Sequence, residues 1–229
     1  MPLTIMINGA FGRMGQLACQ TISAHPDFVL IAKLGREHNL AQEIRQHQPD
    51  IVVDLTHADA AFFNANTIIE ANVSPVIGTS GLTATQIDQL ITISSQKKLS
   101  GLIIPNFSIS ATLMMHYAAQ VAHHFQQAEI IEMHHPFKKD APSATAMRTA
   151  ERLHPTPKIH SILMPGIVAN QTVLFGNPAE TFSIHYNTIS RDAFMPGLIL
   201  ACQNAKKFDT ILCGLEHCLD LCESKRLIT

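Results

Sequence analysis

Short apolar runs alternate with longer amphipathic segments over the first hundred residues. The runs predict buried strands, because they are short, rich in aliphatic residues and bounded by turn-forming residues. The segments between them have the spacing of helices that bury one face. Such alternation predicts a parallel sheet with helices on both faces. The predicted strands are Leu3–Asn8, Val29–Leu34, Ile51–Leu55, Val76–Gly78 and Leu102–Ile104, and the predicted helices are Met14–Ala24, Leu40–His47, Ala58–Ala71 and Thr83–Lys98.

The pattern changes after Pro105. The segment Ile159–Ser190 is rich in β-branched and aromatic residues and predicts three antiparallel strands. Pro142 suits the first turn of a helix. We therefore predict an α/β chain: an N-terminal Rossmann-like, doubly wound parallel sheet, and a second α+β domain with a mixed or antiparallel sheet. Further helices are predicted over Ile109–Phe125, Pro142–Leu153, Pro196–Ala205 and Thr210–Leu221, with a strand over Glu129–His134.

Composition narrows the class of protein. The chain has 229 residues, of which 46% are hydrophobic and 15% are charged, and this excludes a disordered segment. The net charge of −2 gives no basic footprint for nucleic acid or a membrane surface. Five scattered cysteines suit free thiols in a reducing compartment. Without a leader-like start or a long apolar run, we expect a cytoplasmic protein.

A glycine-rich loop follows the first predicted strand and opens the first predicted helix. Glycines in such a loop permit a tight turn and close approach of the backbone to a pyrophosphate, which rests on the helix N-terminus. Arg13 is either a cation beside the phosphates or a solvated residue of the first turn. The loop therefore predicts a dinucleotide site, formed by Gly9, Ala10, Phe11, Gly12, Arg13, Met14 and Gly15.

The end of the second strand bears on the choice between NADH and NADPH. NAD-specific sites usually place Asp or Glu there, to hold the ribose hydroxyls. Here Gly35 stands at that position and Arg36 follows it. A guanidinium can bind a 2′-phosphate bidentately. We therefore predict that NADPH is accepted, with NADH also used if Glu37 turns inward.

The densest polar stretch runs from Glu132 to Ala146. Two adjacent imidazoles, His134 and His135, precede two ammonium groups and a carboxylate, and then a proline and two hydroxyl residues open a predicted helix. Cations attract a small anion, a helix N-terminus binds a carboxylate, and a histidine titrates near neutral pH. The stretch predicts a site that holds a small anion and moves a proton. The other pair, His123-His124, is interpreted as surface decoration.

Motifs along almost the whole chain resemble those of the dihydrodipicolinate reductase (4-hydroxy-tetrahydrodipicolinate reductase) family. The Glu132–Ala146 stretch resembles the family run Glu-x-His-His-x-x-Lys-x-Asp-Ala-Pro-Ser-Gly-Thr-Ala and departs from it only at Ala144. The glycine loop also resembles that of the family. The remaining similar segments are Asp50–Thr56, Val76–Leu82, Pro105–Ser108 and Ser190–Gly197.

This resemblance implies roles for individual residues. His134 would be the acid or base, and Lys138 a proton donor that also attracts a substrate carboxylate. His135 would hold the dicarboxylate, together with Ser143 and the backbone at Ala144 and Thr145. Thr79 and Phe107 would lie nearest the nicotinamide. The implied cofactor contacts beyond the glycine loop are Gly78, Thr79, Ser80, Ile104, Pro105, Asn106 and Phe107.

The resemblance also implies a reaction, a domain division and an oligomer. The reaction is the NAD(P)H-dependent reduction of 4-hydroxy-tetrahydrodipicolinate to tetrahydrodipicolinate, in the diaminopimelate route to lysine. Residues 1–106 would bind the dinucleotide, joined by the C-terminal segment of about 205–229. Residues 107–204 would bind the small dicarboxylate and form the oligomer, a homotetramer. Neither nucleic acid nor a membrane is an expected partner.

Other interpretations fit parts of the chain. Another two-domain NAD(P)-dependent dehydrogenase would need a different catalytic group, such as a cysteine in the hinge, where this chain has Asn106-Phe107-Ser108. A non-catalytic redox sensor would keep the glycine loop without the His/Lys stretch. Cys213, Cys218 and Cys222, with His217, could suggest zinc, but their spacing is typical of helix packing, so no metal is expected.

The family glycine that Ala144 replaces leaves two outcomes open. If that position needs a positive φ, alanine would cost roughly 1–2 kcal/mol. If its φ and ψ are helical, alanine is harmless. Ser110 and Ser80 similarly replace a glycine and a threonine of the family pattern.

Overall fold

A computed structural model describes residues 1–138, 141–219 and 221. The chain divides into two compact units, one of Met1–Phe107 with the described residues from Phe194 onward, and one of Ser108–Ala193. Helix 195–204 thus falls in the first unit, whereas the expected boundary placed it in the second. Asp140, the carboxylate that follows the two lysines in the Glu132–Ala146 stretch, and Cys222 both lie outside the described residues.

The helices and strands follow the predicted order closely. The strands are β1 (Leu3–Asn8), β2 (Phe28–Leu34), β3 (Ile51–Asp54), β4 (Ser74–Ile77), β5 (Gly101–Ile103), β6 (Gln127–His134), β7 (Lys158–Leu163), β8 (Ala169–Asn177), β9 (Glu180–Thr188) and β10 (Ile211–Cys213). The α-helices are α1 (Arg13–Ala24), α2 (Leu40–His47), α3 (Ala58–Glu70), α4 (Ala84–Lys97), α5 (Ile109–Ala122), α6 (Ala144–Glu151) and α7 (Met195–Asn204).

The first unit is built on a six-stranded parallel sheet in the order β10-β5-β4-β3-β1-β2. Its central strands are buried on both faces: Ile5, Met6 and Ile7 of β1 have no exposed surface. This burial explains why these strands read as continuous apolar runs. The chain leaves β1 toward β2 on one side and returns as β3 on the other, so the carboxyl ends of β1 and β3 mark the switch point where such folds bind ligands. The Rossmann-like class is confirmed.

The second unit contains a four-stranded mixed sheet in the order β7-β6-β8-β9. Strands β8 and β9 pair antiparallel, as do β6 and β8, but β7 runs parallel to β6. The prediction of three antiparallel strands is therefore wrong for β7. Its direction follows from α6, which lies between β6 and β7 in sequence and provides the crossover that parallel pairing needs.

The predicted helix over Thr210–Leu221 is also wrong. Ile211–Cys213 forms strand β10 beside β5, and Leu215–Cys218 forms a short 3-10 helix. Gly214 separates them with φ of +117°, a conformation that glycine adopts readily and that interrupts a helix. A short apolar run is compatible with a helix or a strand, and here the run forms a strand because the edge of β5 is available for pairing.

An ion pair in the first unit predicts acid sensitivity. Lys206 Nζ lies 2.7 Å from Asp50 Oδ1, and Thr4 donates through its N and Oγ1 to Asp50 Oδ2. The Lys206 hydrogen bond, followed by those from Thr4, lowers the pKa of Asp50 to about 2. The ionised carboxylate stabilises the fold above its unfolded pKa of about 3.9, and this stability is lost as pH falls toward 2.

We expect the wild-type free energy of unfolding to fall by about 1 kcal/mol more than that of Asp50→Asn between pH 5 and pH 2.5, after allowance for solvent screening at this half-exposed pair. Urea unfolding followed by circular dichroism at several pH values measures this. Asp59→Asn, whose side chain is 99% exposed, is the control and should behave as wild type. Parallel pH dependences for wild type and Asp50→Asn would contradict the assignment.

Candidate active site

The glycine loop joins β1 to α1, and two of its glycines are required by packing. A Cβ on Gly9, which has φ of +82°, would lie 2.7 Å from the Leu55 carbonyl oxygen. A Cβ on Gly15 would overlap the Gly9 carbonyl oxygen. A Cβ on Gly12 would meet only that same oxygen, at 3.5 Å, so space lies open beside Gly12. The loop therefore has the bare backbone surface that a pyrophosphate needs.

The N-terminus of α1 adds backbone donors to this surface. Gly12 is the N-cap and provides no side-chain acceptor, so the first N–H groups of the helix lack the usual cap. Phe11 and Arg13 are exposed beside them, Met14 is half-buried, and Ala10 is buried with its N–H donated to Leu34 O. Unsatisfied donors and the helix dipole both favour an anion here.

A cleft of about 890 Å³ opens at the carboxyl ends of β1, β2 and β3. It brings the glycine loop together with the Gly35–Arg36 turn, as the sequence predicted for a dinucleotide site. The turn is held by Gly35 N–H, which donates to His38 Nδ1 at 3.1 Å. The residues present therefore fit a dinucleotide. The residues that line the cleft include Gly9, Gly12, Gly35, Arg36, Glu37 and His38.

Both candidate specificity residues border this cleft. Arg36 and Glu37 are exposed, and the Glu37 carboxylate folds back over Gly35, where an added Cβ would lie 2.7 Å from Glu37 Oε2. Glu37 Oε1 is 3.0 Å from His38 Nδ1. A guanidinium for a 2′-phosphate and a carboxylate for ribose hydroxyls are thus both present at the end of β2.

A buried carboxylate that the sequence interpretation left without a role ties three strand ends together. Asp54, at the end of β3, is fully buried. Its Oδ2 accepts from Asn8 Nδ2 at 3.0 Å and Asn64 Nδ2 at 2.7 Å, and its Oδ1 accepts from Thr56 Oγ1 and Thr79 Oγ1, each at 2.7 Å. Since Asn8 precedes the glycine loop and Thr79 follows β4, Asp54 fixes both parts of the proposed cofactor site.

The remaining predicted cofactor residues follow β4 and β5. Gly78 lacks a side chain where Phe107 packs, since an added Cβ would lie 2.5 Å from Phe107 Cε2. Phe107, Ile104 and Thr79 are buried, Pro105 and Asn106 are half-buried, and Ser80 is exposed. These residues follow neighbouring strands of the same sheet edge, so they stand near one another within the first unit.

In the second unit, His134 ends β6, and Glu132 lies two residues earlier on the same face of the strand. The Glu132 side chain is only 1% exposed, and that of His134 is 13% exposed. Glu132 Oε1 accepts from Ser143 N at 2.9 Å and Ser161 Oγ at 2.6 Å. Glu132 Oε2 lies 3.6 Å from His134 Nδ1.

The pKa values of this pair follow from burial and from each other. Burial raises the pKa of Glu132, but the hydrogen bonds from Ser143 and Ser161 outweigh it, and the pKa lies below its ordinary value. Burial lowers the pKa of His134, the Glu132 charge raises it, and Lys138 and His135 lower it further, for a net lowering. His135 and Lys138 are both half-buried. Because Glu132, His135 and Lys138 all influence the pKa of His134, the four ionisable side chains form one cluster.

Helix α6 begins beside this cluster. Ser143 is the N-cap, with Oγ accepting from Ala146 N at 3.1 Å. Pro142 therefore precedes the cap, which corrects its predicted place in the first turn. Ser143 is buried with its N–H and Oγ engaged, so it supports the helix start from beneath. Ala144 and Thr145 supply the first helical N–H groups.

Ala144 is the first residue of α6, and its φ is not positive; among the described residues, the non-glycine residues with positive φ are Gln48, Asn72 and Lys98. Alanine in place of the family glycine is therefore harmless: it imposes no backbone strain at this helix start, and its N–H remains in place.

Two features lie outside these sites. Within the described residues, no helix is long and apolar enough to cross a membrane. Nor does any group of three or more His, Cys, Asp or Glu side chains gather in a metal-binding arrangement in that part of the chain.

The chain matches two family models that together span most of its length. Residues 3–107 match the model described as dihydrodipicolinate reductase, N-terminus, and residues 110–219 match the model described as dihydrodipicolinate reductase, C-terminus.

Individual relatives agree with these models. The chain is 45% identical to the 4-hydroxy-tetrahydrodipicolinate reductase of Legionella pneumophila (strain Lens), with 96% of this chain and 100% of the relative covered. It is 39% identical, with the same coverage, to the enzyme of that name from Coxiella burnetii (strain Dugway 5J108-111). The dipicolinate-bound dihydrodipicolinate reductase from Paenisporosarcina sp. TG-14 superimposes with a TM-score of 0.86 at 30% identity, covering 95% of this chain and 99% of that chain. This protein therefore belongs to the dihydrodipicolinate reductase family of nicotinamide-dependent oxidoreductases.

Proposed function

We propose that the protein reduces 4-hydroxy-tetrahydrodipicolinate to tetrahydrodipicolinate, in the diaminopimelate route to lysine, with His134 as the proton donor. One observation carries the assignment of the site: the Glu132 carboxylate contacts both the N-cap of α6 and the His134 ring. An acid–base residue and a carboxylate-binding helix start are thereby held at one place. Lys138 and His135 lie close enough to His134 to lower its pKa.

The substrate is a small dianion, and the cluster offers two kinds of donor for its carboxylates. The N–H groups of Ala144 and Thr145 at the start of α6 bind one carboxylate. Lys138 and His135 bind the other through charge-assisted hydrogen bonds, each contributing roughly 1.5–3 kcal/mol in a partly dry site. Ser143, which the resemblance also implied as a ligand, acts from beneath as the cap that shapes the helix start.

The chemistry needs one hydride, one proton and the loss of one water. NADPH or NADH supplies the hydride when bound. The substrate hydroxyl leaves as water together with a proton from the neighbouring ring carbon, the resulting conjugated ring accepts the hydride at one carbon, and negative charge develops across the ring. His134 then gives its Nε2 proton to that ring, which typically accelerates such a step by about 10²–10⁴. Lys138 supplies the positive charge that stabilises the developing anion and makes His134 a stronger acid.

For the cofactor, we propose that the first unit holds the pyrophosphate on the glycine loop and on α1. The contacts would be Gly9, Ala10, Phe11, Gly12, Arg13, Met14 and Gly15. Thr79 and Phe107 would stand nearest the nicotinamide, with Gly78, Ser80, Ile104, Pro105 and Asn106 around them. Gly35 and Arg36 would hold the adenosine ribose. Because Arg36 and Glu37 both border the cleft, NADPH and NADH are both accepted, through different side chains.

The variant Arg36→Ala tests this division of roles. Loss of a guanidinium–phosphate contact worth roughly 1.5–3 kcal/mol should raise the KM for NADPH about ten- to hundredfold, and leave the KM for NADH within about threefold. Initial rates with each cofactor measure this. Arg45→Ala, an exposed arginine on α2, is the matched control. Equal losses with both cofactors would show that Arg36 does not read the 2′-phosphate.

We further propose that the second-unit sheets assemble a homotetramer. The sheet face opposite Glu132 carries Ile131, Met133, Ile162 and Leu174, of which Ile162 is 40% and Leu174 is 38% exposed. Apolar side chains grouped on one sheet face are typical of an interface. Light-scattering mass in solution tests this, and a monomeric mass at micromolar concentration contradicts it.

The reaction itself is tested by following the oxidation of NADPH with the condensation product of pyruvate and aspartate semialdehyde. The expected result is oxidation that requires both precursors. Oxidation with the semialdehyde alone would point to the alternative two-domain dehydrogenase. Cofactor binding without any oxidation would point to the redox sensor instead.

A further inference from the structure

Glu132 has two oxygens in different situations. Oε1 accepts two hydrogen bonds, from Ser143 N and Ser161 Oγ. Oε2 is buried and has no hydrogen-bond partner, and His134 Nδ1 is likewise buried without one. These two atoms face each other across 3.6 Å. Since an unsatisfied buried charge is costly, the arrangement needs a reason beyond fastening the sheet to α6.

The Glu132 carboxylate is held by its own strand and by hydrogen bonds from two other elements, so the direction of its free oxygen, Oε2, is fixed. Glu132 stands in β6, Ser161 lies directly opposite it in β7, and Ser143 is the N-cap of α6. The bonds to Oε1 prevent the carboxylate from rotating away from His134. A shift of the imidazole by a few tenths of an ångström would bring Nδ1 within hydrogen-bonding distance of Oε2.

We propose that Glu132 is the positioning residue for the acid of this reaction: it accepts the Nδ1 proton of His134 and thereby directs the Nε2 proton toward the substrate. The proposal rests on the proposed function, because it assigns Glu132 to the proton-transfer step. A carboxylate at Nδ1 fixes the tautomer and the ring plane of an imidazole, and stabilises the cation from which Nε2 gives up its proton.

The charges around His134 give the sign of the expected pH effect. Glu132 favours the protonated ring, whereas His135 and Lys138, in the loop after β6, oppose it. Tyr186 of β9 lies on the same sheet face as Glu132, with Gln171 of β8 between them, and burial followed by the Glu132 charge raises the pKa of Tyr186 to about 12, so it stays neutral near neutral pH. The acid form of His134 is needed for turnover, so activity falls as pH rises through its pKa. Removing the Glu132 charge should move this fall to lower pH.

Two variants distinguish the proposed positioning of His134 by Glu132 from a purely structural role, in which Glu132 only joins β6 to α6 and β7. Glu132→Gln removes the charge at Oε2, and we expect kcat to fall ten- to hundredfold and the alkaline limb of its pH profile to move down by about one pH unit. Ser161→Ala removes one hydrogen bond to Oε1 but keeps the charge of the carboxylate, so kcat should fall less than in Glu132→Gln and the limb should not move. Glu132→Asp, which keeps the charge, should restore the limb toward its wild-type position. An active Glu132→Gln enzyme with an unmoved limb overturns the proposal.

A measurement without substrate keeps the proposal testable if Glu132→Gln fails to fold. In ¹⁵N-histidine-labelled wild type, with the His134 signals assigned by their loss in His134→Gln, the neutral ring should carry its proton on Nδ1. A neutral ring protonated on Nε2 would overturn the proposal. This readout also separates the two claims: absence of reduction by wild type refutes the proposed function, whereas reduction by wild type with the wrong tautomer refutes only the role of Glu132.

Discussion

Replacing His134 by alanine is expected to lower kcat by at least about a hundredfold, because the variant loses the proposed proton donor and a positioned acid typically accelerates such a step by about 10²–10⁴. Glu132 cannot take over this role, because its hydrogen bonds lower its pKa and hold the carboxylate ionised. The dissociation constant for NADPH should stay within about twofold, because the proposed cofactor residues belong to the first unit. Initial rates and NADPH fluorescence titration give the two quantities.

The control for His134→Ala is His123→Ala, which removes an exposed imidazole at the end of α5. It should leave both kcat and cofactor affinity unchanged. Lys138→Ala should differ from both by lowering kcat and raising the KM for the substrate together. If His134→Ala kept near-normal turnover, His134 would not be the proton donor, and the cluster would have to act through Lys138.

The second large effect is expected at Gly15. An added Cβ would overlap the Gly9 carbonyl oxygen and lie 2.7 Å from Ala10 Cα, and backbone atoms cannot move aside as a flexible side chain can. Gly15→Ala should therefore lower the free energy of unfolding by about 2–3 kcal/mol and weaken NADPH binding by more than tenfold. Urea unfolding followed by circular dichroism, with fluorescence titration, measures both effects.

Gly12→Ala makes the comparison diagnostic. Its Cβ has room in the protein and points to open space, so stability should change by less than about 1 kcal/mol. NADPH binding should still weaken more than tenfold, because the methyl group would occupy the space proposed for phosphate. Gly176→Ala, which meets nothing within 4 Å, should change neither property. Normal NADPH affinity in Gly12→Ala would show that the pyrophosphate does not bind at this loop.

The parts of the fold that could be predicted were those with a strong local sequence pattern. Helix α2 has the predicted bounds because its buried residues recur with the helical period, and strand β1 has them because it is a short, continuous run of apolar residues. The direction of β7 and the identity of β10 could not be read this way. Both are short segments whose structure is decided by the neighbour available for pairing, and that neighbour is distant in sequence for β10.

The candidate site shows the same division. The residue types and spacing of the Glu132–Ala146 stretch located the cluster, and the strand ends located the cleft proposed to bind the cofactor. The sequence did not reveal how Glu132 and Asp54 divide their oxygens among partners, because those contacts come from other elements. An acidic residue within or at the end of an apolar strand was the available signal, since such a residue is rarely fully buried without a purpose.

Strand β10 gives the first unit an unusual order of assembly. It completes the sheet edge at β5, yet the whole second unit lies between the two strands in the chain. During synthesis, β6, β8 and β9 can pair with near neighbours while β5 still exposes an unpaired edge. A chain interrupted before Ile211 would keep that edge open and could pair through it with other chains. Incomplete chains should therefore aggregate through the six-stranded parallel sheet, even where their second unit has already folded.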